Sequence, residues 1–475
     1  MNNMTKTLVN RMSKVSGTVL TDEHMKVLDY AQRYYEHHKV GPLFQNLKKN
    51  IGVTRKDINQ LFPHGLNSVY TWVGIPIHSA DQSCKPLATI NVKDFRQVYL
   101  DYNGTTPLRK EIVECLVAYS SDPERFGNPS SSTPLGKVAY NSVQEARQDI
   151  SNCLGVWDKE IIFTGSGSEA NNLAIKGIAF QHLERKGHII SSKVEHVSVL
   201  QSLAFLQKIG FDVTYLEVDK QGIVSSQAVQ DEMKPETILV TIMAANNEIG
   251  AINPVREIGH ICQSADVPFM VDGIQAFGKL PLEPKSMGIA LLTMSGHKIG
   301  APKGVGALYV DESLSLIPLI HGGGQEFGVR AGTENVGSIA AFGKAAKLSY
   351  QEMASERERL RALQAYFLIE LRKIVPNFVV NGSIENRLSN NLNVGFPGID
   401  SGSLLLSLNQ IGVYVSAGSA CSAGSREASH VIKALDVDTD YYGIIRFSFG
   451  WQTCKDDLDY LFKYLPEILK QLKSV

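Results

Sequence analysis

Short apolar runs that end in small or polar residues recur along most of this chain. Ile161-Ile162-Phe163-Thr164, Ile189-Ile190-Ser191-Ser192, Ile238 to Met243, Val267 to Val271 and Leu291 to Met294 have the length and flanks of strands. Ile238 to Met243 is apolar almost throughout, as a strand buried on both faces of a parallel sheet must be. Helical patterns lie between these runs, among them Leu173–Phe180, and the alternation predicts an α/β architecture. Strand-like segments also stand at Val98–Leu100, at Val413–Val415 and around Arg446 in GIIRFSFG, and a last helix is expected over Leu458–Leu472. The first 96 residues read differently. Thr21-Asp22-Glu23-His24 opens a helix with acids in its first turn, and Val27, Leu28, Ala31, Tyr34 and Tyr35 follow at helical spacing. Gly41-Pro42 breaks it, Leu43–Asn50 and Arg55–Leu61 give two more helices, and Gly74-Ile75-Pro76 leads into a polar loop holding Cys84.

Composition narrows the class. A chain of 475 residues has room for two to four domains. A formal net charge of −1 leaves no electrostatic footprint for nucleic acid or for a membrane surface. No apolar run approaches ~18 residues, so no membrane span is expected. Met1 to Leu20 lacks the apolar centre of a secretory signal. Cys84, Cys115, Cys153, Cys262, Cys421 and Cys454 are scattered, with no CxxC pair, which fits a reducing cytoplasm and gives no reason to expect a metal.

The candidate chemistry sits where strands end, and in an open α/β sheet that is where ligands bind. Leu291 to Met294 runs into Ser295-Gly296-His297-Lys298, which puts a lysine at a strand end. There it can condense with an aldehyde cofactor, of which pyridoxal phosphate is the commonest; otherwise it is a solvated charge. Ile161–Thr164 leads into Gly165-Ser166-Gly167-Ser168-Glu169-Ala170-Asn171-Asn172, a small-residue turn opening a helix, suited to cradle a phosphate. His196 follows Ile189–Ser192, and a histidine there can stack on an aromatic ring and move protons. Asp272, after Val267–Val271, can hold a pyridine nitrogen protonated, and Gln275 can donate to a phenolate oxygen. Anion cradle, ring partner, counter-acid and amine are the groups pyridoxal phosphate needs. Arg446 interrupts an apolar strand, where a lone buried charge is costly without an anion such as a carboxylate. Cys421 lies in a loop of small residues, Ser416-Ala417-Gly418-Ser419-Ala420-Cys421-Ser422-Ala423-Gly424, which leaves its thiol accessible as a nucleophile.

LDYNGTTP, FGNPSS, EIIFTGSGSEANNLAIKG, VDGIQAFGKLP, SGHKIGAPKGVGALYV, HGGGQEFGVRAGTEN and VSAGSACSAG resemble the NifS/IscS-type cysteine desulfurases over residues ~97–470. These are class V enzymes of PLP fold type I. The resemblance implies a mostly parallel, seven-stranded-type large domain at 108–352 and a smaller α/β domain built from 97–107 and 353–475. It implies that Lys298 anchors the cofactor, that His196 stacks on the ring, and that Asp272 and Gln275 meet the ring nitrogen and O3′. Gly167, Ser168, Ser295 and His297 would hold the phosphate, with Ser168 in place of the family's usual threonine. Thr333 would reach the phosphate site of a partner subunit, which implies a homodimer. Asn247 and Arg446 would take the substrate carboxylate, and Cys421 would attack the sulfur of L-cysteine, becoming a persulfide as L-alanine leaves. The chain stops at Val475, right after its last helix, without the C-terminal extension that family members serving iron–sulfur scaffolds often carry.

The N-terminal stretch LTDEH…VLDYAQRYYEHHKVGP, LFPHG and GIP…C resembles the DsrC/TusE-type sulfur-relay proteins, over residues ~20–84. In that family a cysteine on a C-terminal arm carries sulfur. Here Cys84 lies eight residues after Pro76 and is internal to the chain, and its bland alternative is an unreactive loop thiol. The expected protein is therefore a small helical relay module, 1–96, fused to a PLP-dependent cysteine desulfurase that hands sulfur to an acceptor protein, with Cys84 a candidate relay. Iron–sulfur assembly and tRNA thiolation are among the pathways it could serve. A selenocysteine lyase or another class V enzyme shares the cofactor site, and Cys421 separates it from an aminotransferase. A relay scaffold with an idle PLP domain is the alternative from another class.

Overall fold

The computed structural model describes residues 9–10, 12–13, 16, 18–38, 41–42, 44–62, 66–73, 92, 95–417 and 429–473. Cys84, Cys421 and Gly74-Ile75-Pro76 lie outside them.

In the N-terminal module the helices Asp22–His38, Phe44–Ile51, Arg55–Leu61 and Leu66–Val73 gather around Val27, Leu28, Ala31, Leu47, Ile58, Val69 and Trp72. The first three were legible as helices, and the fourth was not. Thr54 closes a capping box with Asp57 at the start of the third helix. The buried His24 reaches 2.8 Å to the Leu61 carbonyl, and Tyr70 donates to the Pro42 carbonyl at 2.7 Å.

The remaining chain builds a seven-stranded sheet. Its strands are β2 (Ile161–Thr164), β3 (His188–Ser192), β4 (Asp212–Leu216), β5 (Thr237–Met243), β6 (Phe269–Asp272), β7 (Leu291–Ser295) and β8 (Gly306–Val310). They lie in the order β2-β8-β7-β6-β5-β3-β4, and β8 alone runs against the others. The sheet is thus mostly parallel, as expected. One apolar layer includes Phe163, Val240, Val271 and Met294 with Val143, Ala146 and Phe342 from helices. The opposite layer packs Ile162, Ile189, Leu239, Met270 and Leu291 against the helices Gly167–Ala179 and Val197–Lys208. Strands covered on both faces have no polar face to alternate with, which is why their sequences read as continuous apolar runs.

A separate core joins β1 (Val98–Tyr99), the antiparallel sheet of β9 (Val379–Asn381), β10 (Asn391–Pro397) and β12 (Tyr442–Ser448), and the helix Lys455–Lys473. β1 pairs in parallel with β11 (Val413–Tyr414). The 39-residue helix Val336–Ile374 serves both cores: Val336, Ile339, Phe342 and Ala346 enter the first, and Leu360, Leu363, Phe367 and Leu371 the second. Past β1 the chain continues alongside β12, with the Ser448 N–H donating to the Leu100 carbonyl and Tyr102 N–H to the Ser448 carbonyl. This carries residues 101–106 to the edge of the large sheet, where Thr106 N–H donates to the His297 carbonyl at 3.0 Å.

Candidate active site

The sheet topology brings the C-terminal ends of β2, β3, β5, β6 and β7 to one edge. A cavity of about 180 Å³ opens there, and Gly167, Ser168, His196, Asn247, Asp272, Gln275, Ser295, His297, Lys298 and Arg446 all line it. Ten residues read from separate stretches of sequence therefore meet in one place. Thr333 does not line it; it is exposed, just before the helix Val336–Ile374.

One end is built for an anion. The helix expected from Leu173 begins at Gly167, because Ser166 caps it by accepting the Glu169 N–H at 3.1 Å. Glu169 in turn accepts from Gly165 N–H and pairs with Arg330. A Cβ on Gly167 would stand 2.4 Å from Ile274 Cδ1 and 3.2 Å from Ser295 Cβ, so a side chain there would have to displace Ile274 and crowd Ser295. Burial, then the charges of Lys298, Lys303 and Lys279, push His297 down to about 3. Its ring is neutral at ordinary pH and contacts the Thr105 hydroxyl at 3.1 Å.

Lys298 is held by backbone carbonyls of the LDYNGTTP stretch, contacts that no side chain announces. Its Nζ donates to the carbonyls of Asn103 at 2.6 Å and Gly104 at 2.7 Å. The same Asn103 carbonyl accepts from Gln275 Nε2 at 3.0 Å. The Asn103 side chain is buried between the Asn247 carbonyl and Asn390.

His196 and Asp272 are joined through two further buried groups. Thr293 donates its hydroxyl to Asn171 Oδ1 at 2.7 Å, which turns the amide nitrogen toward Asp272 Oδ2 and Ser198 Oγ, each at 2.9 Å. Ser198 Oγ meets His196 Nδ1 at 2.8 Å, and the Ser198 backbone N–H donates to that nitrogen at 3.2 Å. A nitrogen that accepts an N–H has no proton of its own, so the neutral ring carries its proton on Nε2. Burial lowers the His196 pKa, opposed by Asp272 and aided by Lys298 and His430. Neighbouring Glu195 is fully buried, and burial pushes its carboxyl up to about 8 despite the Met243 N–H and Ser192 hydroxyl that favour its charge.

Arg446 is 1% exposed. It donates to Asp101 Oδ1 at 2.6 Å and to the Asn247 carbonyl at 3.0 Å. Burial raises the pKa of Glu248, which faces Ser429, His430 and Arg446. His430 donates to the Glu195 carbonyl at 2.8 Å, tying the chain that follows the Cys421 loop to the residue preceding His196.

The donor set fits pyridoxal phosphate. A glycine-floored helix terminus, a buried carboxylate, a histidine, an amide donor and a lysine share one cavity, which buried Arg446 also lines.

Comparison with known proteins agrees with this geometry. The family model for aminotransferase class-V matches residues 98–461, and that for DsrC like protein matches residues 1–76. The cysteine desulfurase IscS of Dictyoglomus turgidum is 45% identical over 381 residues, 80% of this chain and 96% of that protein. A solved NifS-like protein aligns with a TM-score of 0.75 at 33% identity, over 79% of this chain and 100% of the other. The structure of SspA in complex with cysteine aligns with a TM-score of 0.66 at 38% identity, over 74% of this chain and 99% of the other. Among the described residues no helix is long and apolar enough to cross a membrane.

Proposed function

Because the chain belongs to the class-V aminotransferase family, among its cysteine desulfurases, we propose that it converts L-cysteine to L-alanine with pyridoxal 5′-phosphate as cofactor. Cys421 takes the sulfur as a persulfide and passes it to an acceptor protein. The observation that carries this reading is the convergence of Lys298, His196, Asp272, Gln275 and Arg446 on one cavity.

When bound, pyridoxal phosphate draws off the electron pair released as bonds to the substrate carbons break. Gly167, Ser168, Ser295 and His297 would hold its phosphate, Asp272 would keep the ring nitrogen protonated, Gln275 would donate to the ring oxygen and His196 would serve as the ring's partner. Lys298 would anchor the cofactor's aldehyde and, once released, would move the proton at the substrate's α-carbon. Its amine stands within reach of the Asn103 and Gly104 carbonyls. Arg446 orients the substrate through its carboxylate, with Asn247 beside it. His196, neutral and protonated at Nε2, is the proton carrier of this site. The Cys421 thiolate bonds to the substrate sulfur as the carbon–sulfur bond breaks, and the pair stays with carbon, which is protonated. The net change is L-cysteine plus a thiol giving L-alanine plus a persulfide, with no outside oxidant or reductant.

The active chain is a homodimer, with Thr333 contributing to its partner's phosphate site. Its organisation is a relay module at 1–96, a cofactor domain at 108–352, and a small domain from 97–107 and 353–475. The DsrC-like module is the onward station, with Cys84 as the thiol that receives sulfur. Cys421→Ala tests the scheme: the variant keeps the cofactor's visible absorbance and yields no alanine. Sustained alanine production by that variant would overturn it.

A further inference from the structure

Lys279 is a second partly buried lysine beside the first, and the chemistry above leaves it unused. It is partly buried, and its Nζ donates to Gln275 Oε1 at 3.1 Å. Gln275 Nε2 in turn donates to the Asn103 carbonyl that also receives Lys298 Nζ. The two lysines line a small cavity of about 50 Å³ behind the site. The other charged groups on it are Arg109, Glu356 and Arg357, with Tyr102. Arg109 is paired with Glu352, and Glu356 with Arg359. No carboxylate in an ion pair or hydrogen bond faces Lys279 among the described residues.

We propose that Lys279 is a positioning residue for the cofactor's ring oxygen and for the anchoring amine. Its amine holds the Gln275 carbonyl oxygen on the far side, so that Gln275 presents Nε2–H to the site. Its charge, when present, opposes a second charge on Lys298 and so favours the nucleophilic, unprotonated form there. Burial and then Lys298 push the Lys279 amine down to about 7, so its own charge is only partly present at neutral pH. This inference rests on pyridoxal phosphate being the cofactor.

The test is a pH titration of the visible absorbance of the full-length holoenzyme. Lys279→Gln keeps a donor toward Gln275 and removes the charge, whereas Lys279→Met removes both. Both variants should shift the absorbance midpoint upward by at least about half a pH unit, in the direction expected when a like charge is removed. Only Lys279→Met should also release cofactor more readily on dilution. If Lys279→Met does not fold, Lys279→Gln alone decides the charge effect. A coloured Lys279→Gln protein with the wild-type midpoint would overturn the proposal. A wild-type protein with no visible absorbance would instead overturn the cofactor reading on which it stands.

Discussion

Asp101→Asn should weaken the protein in a way that the bound amino acid repairs. Arg446 is 1% exposed and stands 2.6 Å from Asp101, which is itself 20% exposed. Removing one partner of a buried ion pair costs about 3–5 kcal/mol, because the other charge is left without compensation. Asp101 retains some solvent, and the neutral amide still accepts one hydrogen bond, so the low end, about 3 kcal/mol, applies. Spread over a cooperative unit of several hundred residues, that is a fall in Tm of roughly 3–5 °C. A ligand carboxylate at Arg446 supplies the missing negative charge. L-Alanine, the product, places a carboxylate there with no sulfur to lose. Thermal denaturation of the holoenzyme with and without saturating L-alanine should therefore show a larger gain for Asp101→Asn than for wild type, closing most of the gap. Equal gains in the two proteins would refute the assignment of Arg446 as the carboxylate site. An Asp101→Asn protein that melts like wild type would refute the energetic role of the pair.

Three further outcomes follow from the same structure. Glu195 has a folded pKa raised from 4.5 to about 8, so its stabilising contribution is complete below 4.5 and is lost as pH rises through 8. Glu195→Gln should flatten the fall in Tm between about pH 5 and pH 8, and an unchanged slope would show that the carboxyl is ionised in the fold. Arg147 and Glu326 form a buried pair with exposures of 3% and 2%, and Glu326 also accepts the Phe163 N–H at 2.6 Å. Glu326→Gln should cost about 3–5 kcal/mol in denaturant unfolding, and a loss under about 1 kcal/mol would contradict that coupling. Borohydride reduction of the holoenzyme should leave the cofactor's mass on the peptide bearing Lys298, and a label on Lys279 would move the anchoring role.

What the sequence revealed follows from which interactions are local. Lys298, Asp272 and His196 stand just past apolar runs, and a strand end marks them without knowledge of the rest of the chain. Asn103 holds Lys298 through a backbone carbonyl across a sequence separation of 195, and carbonyls have no sequence signature. Asn171 stood in the turn that opens a helix and Ser198 carried no signal of its own, and their link between Asp272 and His196 exists only once the sheet brings the ends of β2, β3 and β6 to one edge. The reversal of β8 was illegible for a related reason, since a strand buried on both faces reads the same in either direction. The helix Gly167–Ala179 starts earlier than its apolar pattern because a serine cap and Glu169, not apolar periodicity, set its first turn. The long helix Val336–Ile374 feeds two cores along its length, which blurs any boundary drawn from composition.

The central claim is that Cys421 carries sulfur taken from L-cysteine. The most direct measurement is to mix the purified full-length protein with L-cysteine in the absence of reductant, assay alanine, and map persulfides by peptide mass spectrometry. Alanine should form together with a persulfide on the Cys421 peptide and a further persulfide on the Cys84 peptide. Alanine with Cys421 unmodified, or no alanine at all, would contradict that claim.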